Sequence, residues 1–365
     1  MGLSCGIVGL PNVGKSTIFN ALTQSTNAPM ANYPFCTIDP NVGIVSIPDP
    51  RLQKIAAIFK PEKVTPNILE VVDIAGLIKG ASSGEGLGNK FLSHIREVQA
   101  ILHVIRCFED PNVIHVSGSV DPLRDIEVIN TELALADLET VSKRLQNVEK
   151  KAKSQDKKMI KELEAIKKIK EILEKGELVR KAHLSEDEKV IAQELCLLTS
   201  KPVLYVANVS EEFLNKDSED FLILKEYAEK DQAEVLKISG KVEAELASLT
   251  PEEQNEFLKD LGIEEPGLHV LIRKAFKLLN LRTFFTAGPE EVRAWTVRGG
   301  FKAPQAAGVI HSDFERGFIR AEVYHYNDLL AQGSEAQVKN KGLLRLEGKE
   351  YEVQDGDMMY FRFAT

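Results

Sequence analysis

Residues 9–16 read Gly-Leu-Pro-Asn-Val-Gly-Lys-Ser, two glycines five positions apart with a lysine and a hydroxyl directly after the second. These types at this spacing suit a polyphosphate. Backbone N–H groups exposed by the glycines wrap the β-phosphate, the lysine faces the β/γ charge, and the hydroxyl ligates Mg2+. The expected nucleotide contacts are Asn12, Val13, Gly14, Lys15, Ser16 and Thr17, with Lys15 also serving the reaction. Asn12 has two readings: it holds a monovalent cation such as K+ near the phosphates, or it serves ordinary turn chemistry. An apolar stretch from Cys5 to Val8 precedes the loop and an amphipathic one follows from Thr17. A strand and a helix should therefore position it, the helix N-terminus adding its dipole and free N–H groups.

A second apolar run, "NILEVVDIAG", ends in Asp73-Ile74-Ala75-Gly76. A carboxylate at the end of a neighbouring parallel strand holds Mg2+ through water, and Gly76 lets its N–H approach the γ-phosphate during catalysis. Between the two motifs, the Pro-rich "ANYPFCTIDPNVG" offers Thr37 as the further ligand that a closing switch loop supplies; Thr23 and Thr26 fall in or just after the first helix. The expected metal set is Ser16, Thr37 and Asp73. Position 77, where many P-loop GTPases carry a water-orienting Gln, is Leu77. Its side chain orients no water, so catalysis must borrow a group. Candidates are Lys79 and Glu85 of the glycine-rich "KGASSGEGLGNK" and His115 of "EDPNVIHVSGSVDP". Cys36 beside Thr37 reads as a small hydrophobe or, with a lowered pKa, a redox-sensitive thiol.

A third strand, within "LYVANVSEEF", runs into Asn208. Guanine presents two donors that an Asp carboxylate accepts together, but here Glu211 is a methylene longer and Val209 offers no Lys stem. Adenine presents an N6 donor and an N7 acceptor, which one Asn carboxamide satisfies together. A mismatched buried donor or acceptor is costly, so the motif predicts weakened guanine preference and use of ATP. A further strand ends in Ser239-Gly240-Lys241, similar to the Ser-Ala-Lys turn that contacts the base in P-loop GTPases, with Gly in place of Ala. The expected base-side residues are Asn208, Val209, Glu211, Ser239 and Gly240.

These motifs need an α/β scaffold, a P-loop NTPase G domain with a mostly parallel sheet, to bring them together. Strands expected at 100–108 and 202–207 are separated by more chain than one crossover helix requires. Leu138, Val141, Leu145 and Val148, then Met159, Leu163 and Ile166, repeat at helical spacing with Ser154-Gln155-Asp156 as a turn. Residues 130–198 therefore read as a coiled-coil-like α-helical hairpin inserted in a G domain spanning 1–280. From Lys143 to Lys181 there are fourteen Lys and Arg against seven Asp and Glu. That excess is either a solvated face or a contact for an anionic partner such as an RNA. Residues 281–365, with short β-branched and aromatic runs broken by glycines, read as a small mixed β domain.

The totals narrow the classes. A chain of 365 residues suits two or three domains, and 43% hydrophobic with 28% charged residues is a globular composition. A net charge of -9 argues against bulk nucleic-acid binding, so DNA is not an expected partner. Four cysteines without a C-x-x-C pair fit a reduced compartment. No apolar run reaches the roughly 20 residues of a membrane span, and the first residues enter a strand with no room for a signal peptide. A cytoplasmic protein with no membrane association is expected.

The stretches "GLPNVGKST", "YPFCTIDPN", "DIAGLIKGAS", "GEGLGN", "IHVSG" and "NVSE" together resemble the YchF / Obg-like ATPase family over nearly the whole chain. The resemblance implies an Obg-type P-loop ATPase that prefers ATP over GTP and associates with the ribosome. It also implies a loop histidine, here His115, as the catalytic replacement for the group missing at Leu77. "AWTVRGGFKAPQAAGVIHSDFERGFIRAEV" and "EGKEYEVQDGD" resemble the TGS domain, a β-grasp module of translation-linked proteins; His311 and Asp313 within it are read as structural or partner-binding. Two other readings stand beside the ATPase: a nucleotide-gated protein-binding regulator with incidental hydrolysis, and a GTPase that tolerates Asn-x-x-Glu.

Overall fold

The structure, a computed structural model, describes residues 4–25, 41–74, 86–113, 115, 116, 118–152 and 157–364. Cys36, Thr37, Gly76, Leu77, Lys79, Glu85 and the proposed turn at 154–156 lie outside them. In chain order the elements are β1 (Ser4–Val8), α1 (Lys15–Ser25), β2 (Val42–Ser46), α2 (Pro50–Phe59), β3 (Lys63–Thr65), β4 (Ile68–Asp73), α3 (Gly86–Glu97) and β5 (Ala100–Cys107). Then come α4 (Pro122–Ala152), α5 (Lys157–Glu174), α6 (Glu186–Glu194), β6 (Val203–Val209), α7 (Glu219–Lys230), β7 (Glu234–Ile238), α8 (Gly240–Leu246), α9 (Pro251–Leu261) and α10 (Gly267–Leu278). The rest is β8 (Leu281–Ala287), β9 (Glu291–Arg298), α11 (Ala303–Ile310), α12 (Ser312–Arg316), β10 (Phe318–His325), α13 (Tyr326–Gln332), α14 (Glu335–Asn340), β11 (Arg345–Glu347) and β12 (Asp357–Phe363).

Strands β1, β5 and β6 are buried at every position, as their near-continuous apolar runs require of parallel strands covered on both faces. They lie centrally in a sheet ordered β2-β4-β1-β5-β6-β7, in which β4, β1, β5, β6 and β7 pair in parallel. The chain continues to one side of β1 through β4 and to the other through β5, so β1 is the switch point. Ligands bind at the carboxyl ends of strands at such a point, where the phosphate-type loop leaves β1.

The inserted helices pack through Val141, Val148, Ile166, Ile169 and Leu173, with Leu138, Leu145 and Leu163 partly buried against them, the stripe that the sequence repeats define. The ion pair of Arg144 with Glu162 across the pair makes α4 and α5 antiparallel. The helix that enters the inserted hairpin starts before residue 130: α4 begins at Pro122 and continues unbroken for 31 residues. Asp137, buried midway along α4, accepts from Leu198 N and Thr199 N (both 2.8 Å) and from Thr199 Oγ1 (2.7 Å), fixing the helix to the turn that leads into β6. Burial raises the Asp137 carboxyl despite these three donors. Much of the basic excess is spent internally. Lys143, Arg144, Lys161, Lys168 and Lys170 are in ion pairs, and Arg180 and Lys181 both engage the buried Asp231.

The described residues divide into two units, and the second groups Ile44–Leu69 with Ile272–Thr365. The sequence boundary at 281 had left 44–69 with the G domain. The difference has a packing reason: β3 pairs in parallel with β9, and Leu52 and Ile55 of α2 bury against Phe285, Tyr324 and Met358. Within this unit β8 and β9 form an antiparallel hairpin, β12 runs parallel to β8, β10 antiparallel to β12, and α11 crosses between β9 and β10. That is the β-grasp arrangement. Ala303, Ala306 and Ala307 let α11 lie close to Phe284 and Phe361 on one face of the sheet. His311 Nδ1 accepts from Asp313 N at 3.2 Å where α12 begins, a helix-capping role.

In α8, Glu243 is 3% exposed; its Oε1 accepts from Gly267 N at 2.7 Å, at the start of α10, while Oε2 has no partner among the described residues. Burial raises its carboxyl to about 7, outweighing the Gly267 and Leu268 N–H groups. The folded state then keeps a proton that the unfolded chain releases above its ordinary carboxyl range. This contribution is full below about pH 4.5 and declines as the pH rises through 7. Glu243→Gln should therefore flatten the loss of stability between pH 5 and 8 by about 1–3 kcal/mol in urea titrations; an unchanged slope would assign that pH dependence to other groups.

Candidate nucleotide site

The loop after β1 is shaped by close approaches that only glycine allows. A Cβ on Gly9 would meet the Val104 carbonyl at 2.5 Å, and Gly14 has φ of +97° with its face against Asn208 Nδ2. Asn12 adopts φ of 63°, a left-handed conformation that Asn tolerates and that fits its turn reading. Helix α1 starts at Lys15, two residues earlier than the sequence pattern placed it, because Gly14 O already accepts from Ile18 N at 3.0 Å. The first N–H groups of α1 therefore open directly on the loop.

Lys15 is buried and its Nζ donates to Leu10 O at 2.8 Å. Burial pulls the ammonium down to about 8, partly opposed by the Asp73 carboxylate. A phosphate beside it would favour the charged form further, so a desolvated lysine here suits an anion. The register Ile7↔Asp73 brings the end of β4 beside the loop. Ser16 Oγ donates to Asp73 Oδ2 at 3.0 Å, whereas Asp73 Oδ1 is buried and meets no hydrogen-bond partner among the described residues. A hydroxyl and a carboxylate with one orphaned oxygen, converging at a phosphate loop, fit a hard cation such as Mg2+. Val13 is buried and Thr17 exposed.

Asn208 differs from the sequence expectation in what its carboxamide does. Nδ2 donates to Val13 O at 2.9 Å and Oδ1 accepts from Gly240 N at 2.9 Å, so both ends are committed to protein. It ties the phosphate loop to the turn after β7 rather than presenting a fork to a base. The register Asn208↔Ile238 sets it beside that turn, and no signal in the sequence links residues 195 positions apart. Around it, Val209 and Ser239 are buried and Glu211 is exposed at the start of a single helical turn, Glu211–Phe213.

His115 is not on the surface of its loop. Its side chain is 3% exposed and Nε2 shares a hydrogen bond of 2.8 Å with Asp125 Oδ2, Asp125 being equally buried in the first turn of α4. Arg106, 2% exposed in β5, donates to Phe108 O at 3.0 Å, to Val113 O at 2.9 Å and to Asp110 O at 3.4 Å, pinning the loop from the other side. The sequence reading singled out neither partner. An acidic residue in a first turn reads as ordinary dipole compensation, and an arginine inside an apolar strand carries no motif.

A family model described as "50S ribosome-binding GTPase" matches residues 4–209, and a YchF-GTPase C-terminal family model, described as "Protein of unknown function", matches residues 281–364. A Bacillus subtilis protein named "Ribosome-binding ATPase YchF" is 57% identical over 365 residues, covering 100% of both chains. The chain belongs to the YchF family. An Escherichia coli O157:H7 YchF of the same name is 54% identical over 100% of this chain and 99% of its own. Among solved structures, that of the Schizosaccharomyces pombe YchF GTPase superposes with a TM-score of 0.90 at 41% identity, covering 99% of this chain and 98% of that one. The YchF family thus supplies the same two-part layout, a nucleotide domain followed by its own C-terminal region.

The Asn208 tie generates a prediction. Asn208→Ala leaves the Val13 carbonyl and the Gly240 N–H buried without partners, and each such group costs about 1–3 kcal/mol. Urea unfolding should show a loss of about 2–5 kcal/mol with an unchanged m value. A loss below 1 kcal/mol would mean that the two groups find other partners.

Proposed function

We propose that this YchF protein hydrolyses ATP, in preference to GTP, at the loop between β1 and α1, and that its nucleotide state regulates association with the ribosome in the cytoplasm. The observation that carries the reading is the site around Asn208. The exposed Glu211 stands where guanine needs a fixed Asp, while the Asn208 carboxamide, tied to Val13 and Gly240, offers a fork to neither base. Curated relatives printed as ribosome-binding ATPases support both halves.

In this reading Lys15 and the N–H groups of residues 12–17 hold the phosphates, and Gly76 contributes its N–H to the γ-phosphate. Ser16 and Thr37, with Asp73 behind them, would hold Mg2+, which when bound would neutralise charge on the β/γ oxygens. His115 orders the attacking water in place of the group missing at Leu77. Val209, Glu211, Ser239 and Gly240 bound the base, recognising adenine through main-chain groups. Asn12, whose left-handed conformation places it in the turn of this loop, is the residue that would hold a monovalent cation such as K+ near the phosphates. Five lysines fall within residues 150–158, where α4 ends and α5 begins: Lys150, Lys151, Lys153, Lys157 and Lys158. They make the end of the arm the contact for ribosomal RNA.

The word GTPase printed for the fission-yeast structure keeps a second reading in view. Equilibrium competition with the Mg2+-loaded protein should favour ATP over GTP by at least about tenfold, the scale set by one mismatched buried polar group; preference for GTP would mean that Glu211 substitutes for Asp. Lys15→Ala should abolish ATP binding in the same titration, and unaltered binding would move the site elsewhere.

A further inference from the structure

Helix α4 has one end beside His115 and the other at the basic arm, and between them it is held to the sheet. Asp125 lies in its first turn; Asp137, about 18 Å further on at 1.5 Å per residue, is bonded to the turn before β6. Beyond Asp137 the helix runs roughly another 22 Å to Ala152. The first turn is stitched to the His115 loop twice over. Asp125 Oδ2 takes His115 Nε2 at 2.8 Å, and Arg124 Nη1 donates to Ser119 Oγ at 3.1 Å while Nη2 reaches Ser119 O. The loop closes on itself through Gly118 N to His115 O at 3.0 Å. Arg106 fixes its start to β5, so the loop is clamped on one side to the sheet and on the other to the arm helix.

We propose that Asp125 is a positioning residue that latches His115 into the protein interior, and that displacement of the arm, pivoting α4 about Asp137, releases it for hydrolysis. The inference rests on the reading of His115 as the group that orders water. An imidazole whose side chain is 3% exposed, with Nε2 on a carboxylate, reaches no water at a γ-phosphate until that contact is exchanged. At 2.8 Å between two buried side chains the hydrogen bond is exchanged with no competing water, so the held arrangement dominates and basal turnover is low. A partner seated on the arm supplies the differential binding that shifts the equilibrium, because α4 is one rigid element from contact to latch.

The test is steady-state ATP hydrolysis by the full-length protein, alone and with ribosomes, for the wild type, Asp125→Asn, His115→Ala and the double variant. Asp125→Asn weakens the latch while preserving shape. It should raise basal kcat roughly 3–30-fold, leave KM for ATP within about twofold, and shrink the fold-stimulation by ribosomes. The double variant should be as slow as His115→Ala. An Asp125→Asn protein with unchanged or lowered kcat, in a background where His115→Ala is inactive, overturns the latch and leaves His115 catalytic. His115→Ala turning over at the wild-type rate overturns the reading of His115 itself. Should Asp125→Asn prove unstable, Arg124→Ala, which cuts the second stitch, must raise kcat in the same sense; a fall or no change there also overturns the proposal.

Discussion

The carboxamide of Asn208 is the constraint on which the nucleotide site depends. A carboxamide is the smallest side-chain group that donates and accepts in one plane, and here it joins a carbonyl of the phosphate loop to an N–H of the turn after β7. The loop cannot shift relative to that turn without leaving both groups unpaired in a buried place. Gly14 follows from the same bond, since a Cβ there would lie 2.1 Å from Asn208 Nδ2. One interaction thus fixes the spacing between the phosphate end and the base end, and explains why a conformation of +97° is maintained at residue 14.

Buried carboxylates recur wherever a segment outside the sheet rejoins it. Asp125 meets the His115 loop, Asp137 the turn before β6, Asp231 the end of the inserted region through Arg180 and Lys181, and Glu243 the N-terminus of α10. Their electrostatics differ by partner. Burial would raise Asp231, but the Arg180 guanidinium overrides it and holds the acid below its ordinary range, with the Tyr205 hydroxyl also donating to it. Asp137 and Glu243 have only neutral donors of their own and remain raised. Apolar packing alone would attach these segments without specifying their register, whereas a carboxylate with two or three directed acceptor bonds specifies it.

Most of the site was legible in the sequence because its parts are local: the glycine spacing of residues 9–16, the acid ending β4 and the apolar strands that carry them are each contained in about ten residues. The helical arm was legible for the same reason, its stripe of Leu138, Val141, Leu145 and Val148 being periodic. What was not legible is long-range. Residues 44–69 carry ordinary strand and helix patterns that do not say which sheet they complete, and the pairing of Lys63 with Glu291 joins positions more than two hundred apart. The two bonds of Asn208 and the Asp125–His115 pair are of this type: each residue was visible, its partner was not. Counting charges along 143–181 misses a related feature: Arg144, Lys161, Lys168, Arg180 and Lys181 are matched by acids brought close only by folding.

That internal matching bears on how an acidic chain meets a large anionic partner. Exposed ion pairs contribute little to stability, typically 0–1 kcal/mol, so their main effect along α4 and α5 is to cancel field over the flank of the arm. With the Debye length near 8 Å at physiological ionic strength, a cancelled flank offers little long-range attraction, and the five lysines of the sequence at 150–158 act as a short-range, localised charge. A contact confined to the end of a long helix pulls at the point of greatest leverage about Asp137, whereas a uniformly basic arm would bind along its whole length and hold the helix still. The distribution of charge, and not its total, is what suits the arm to transmit a partner's arrival to its own first turn.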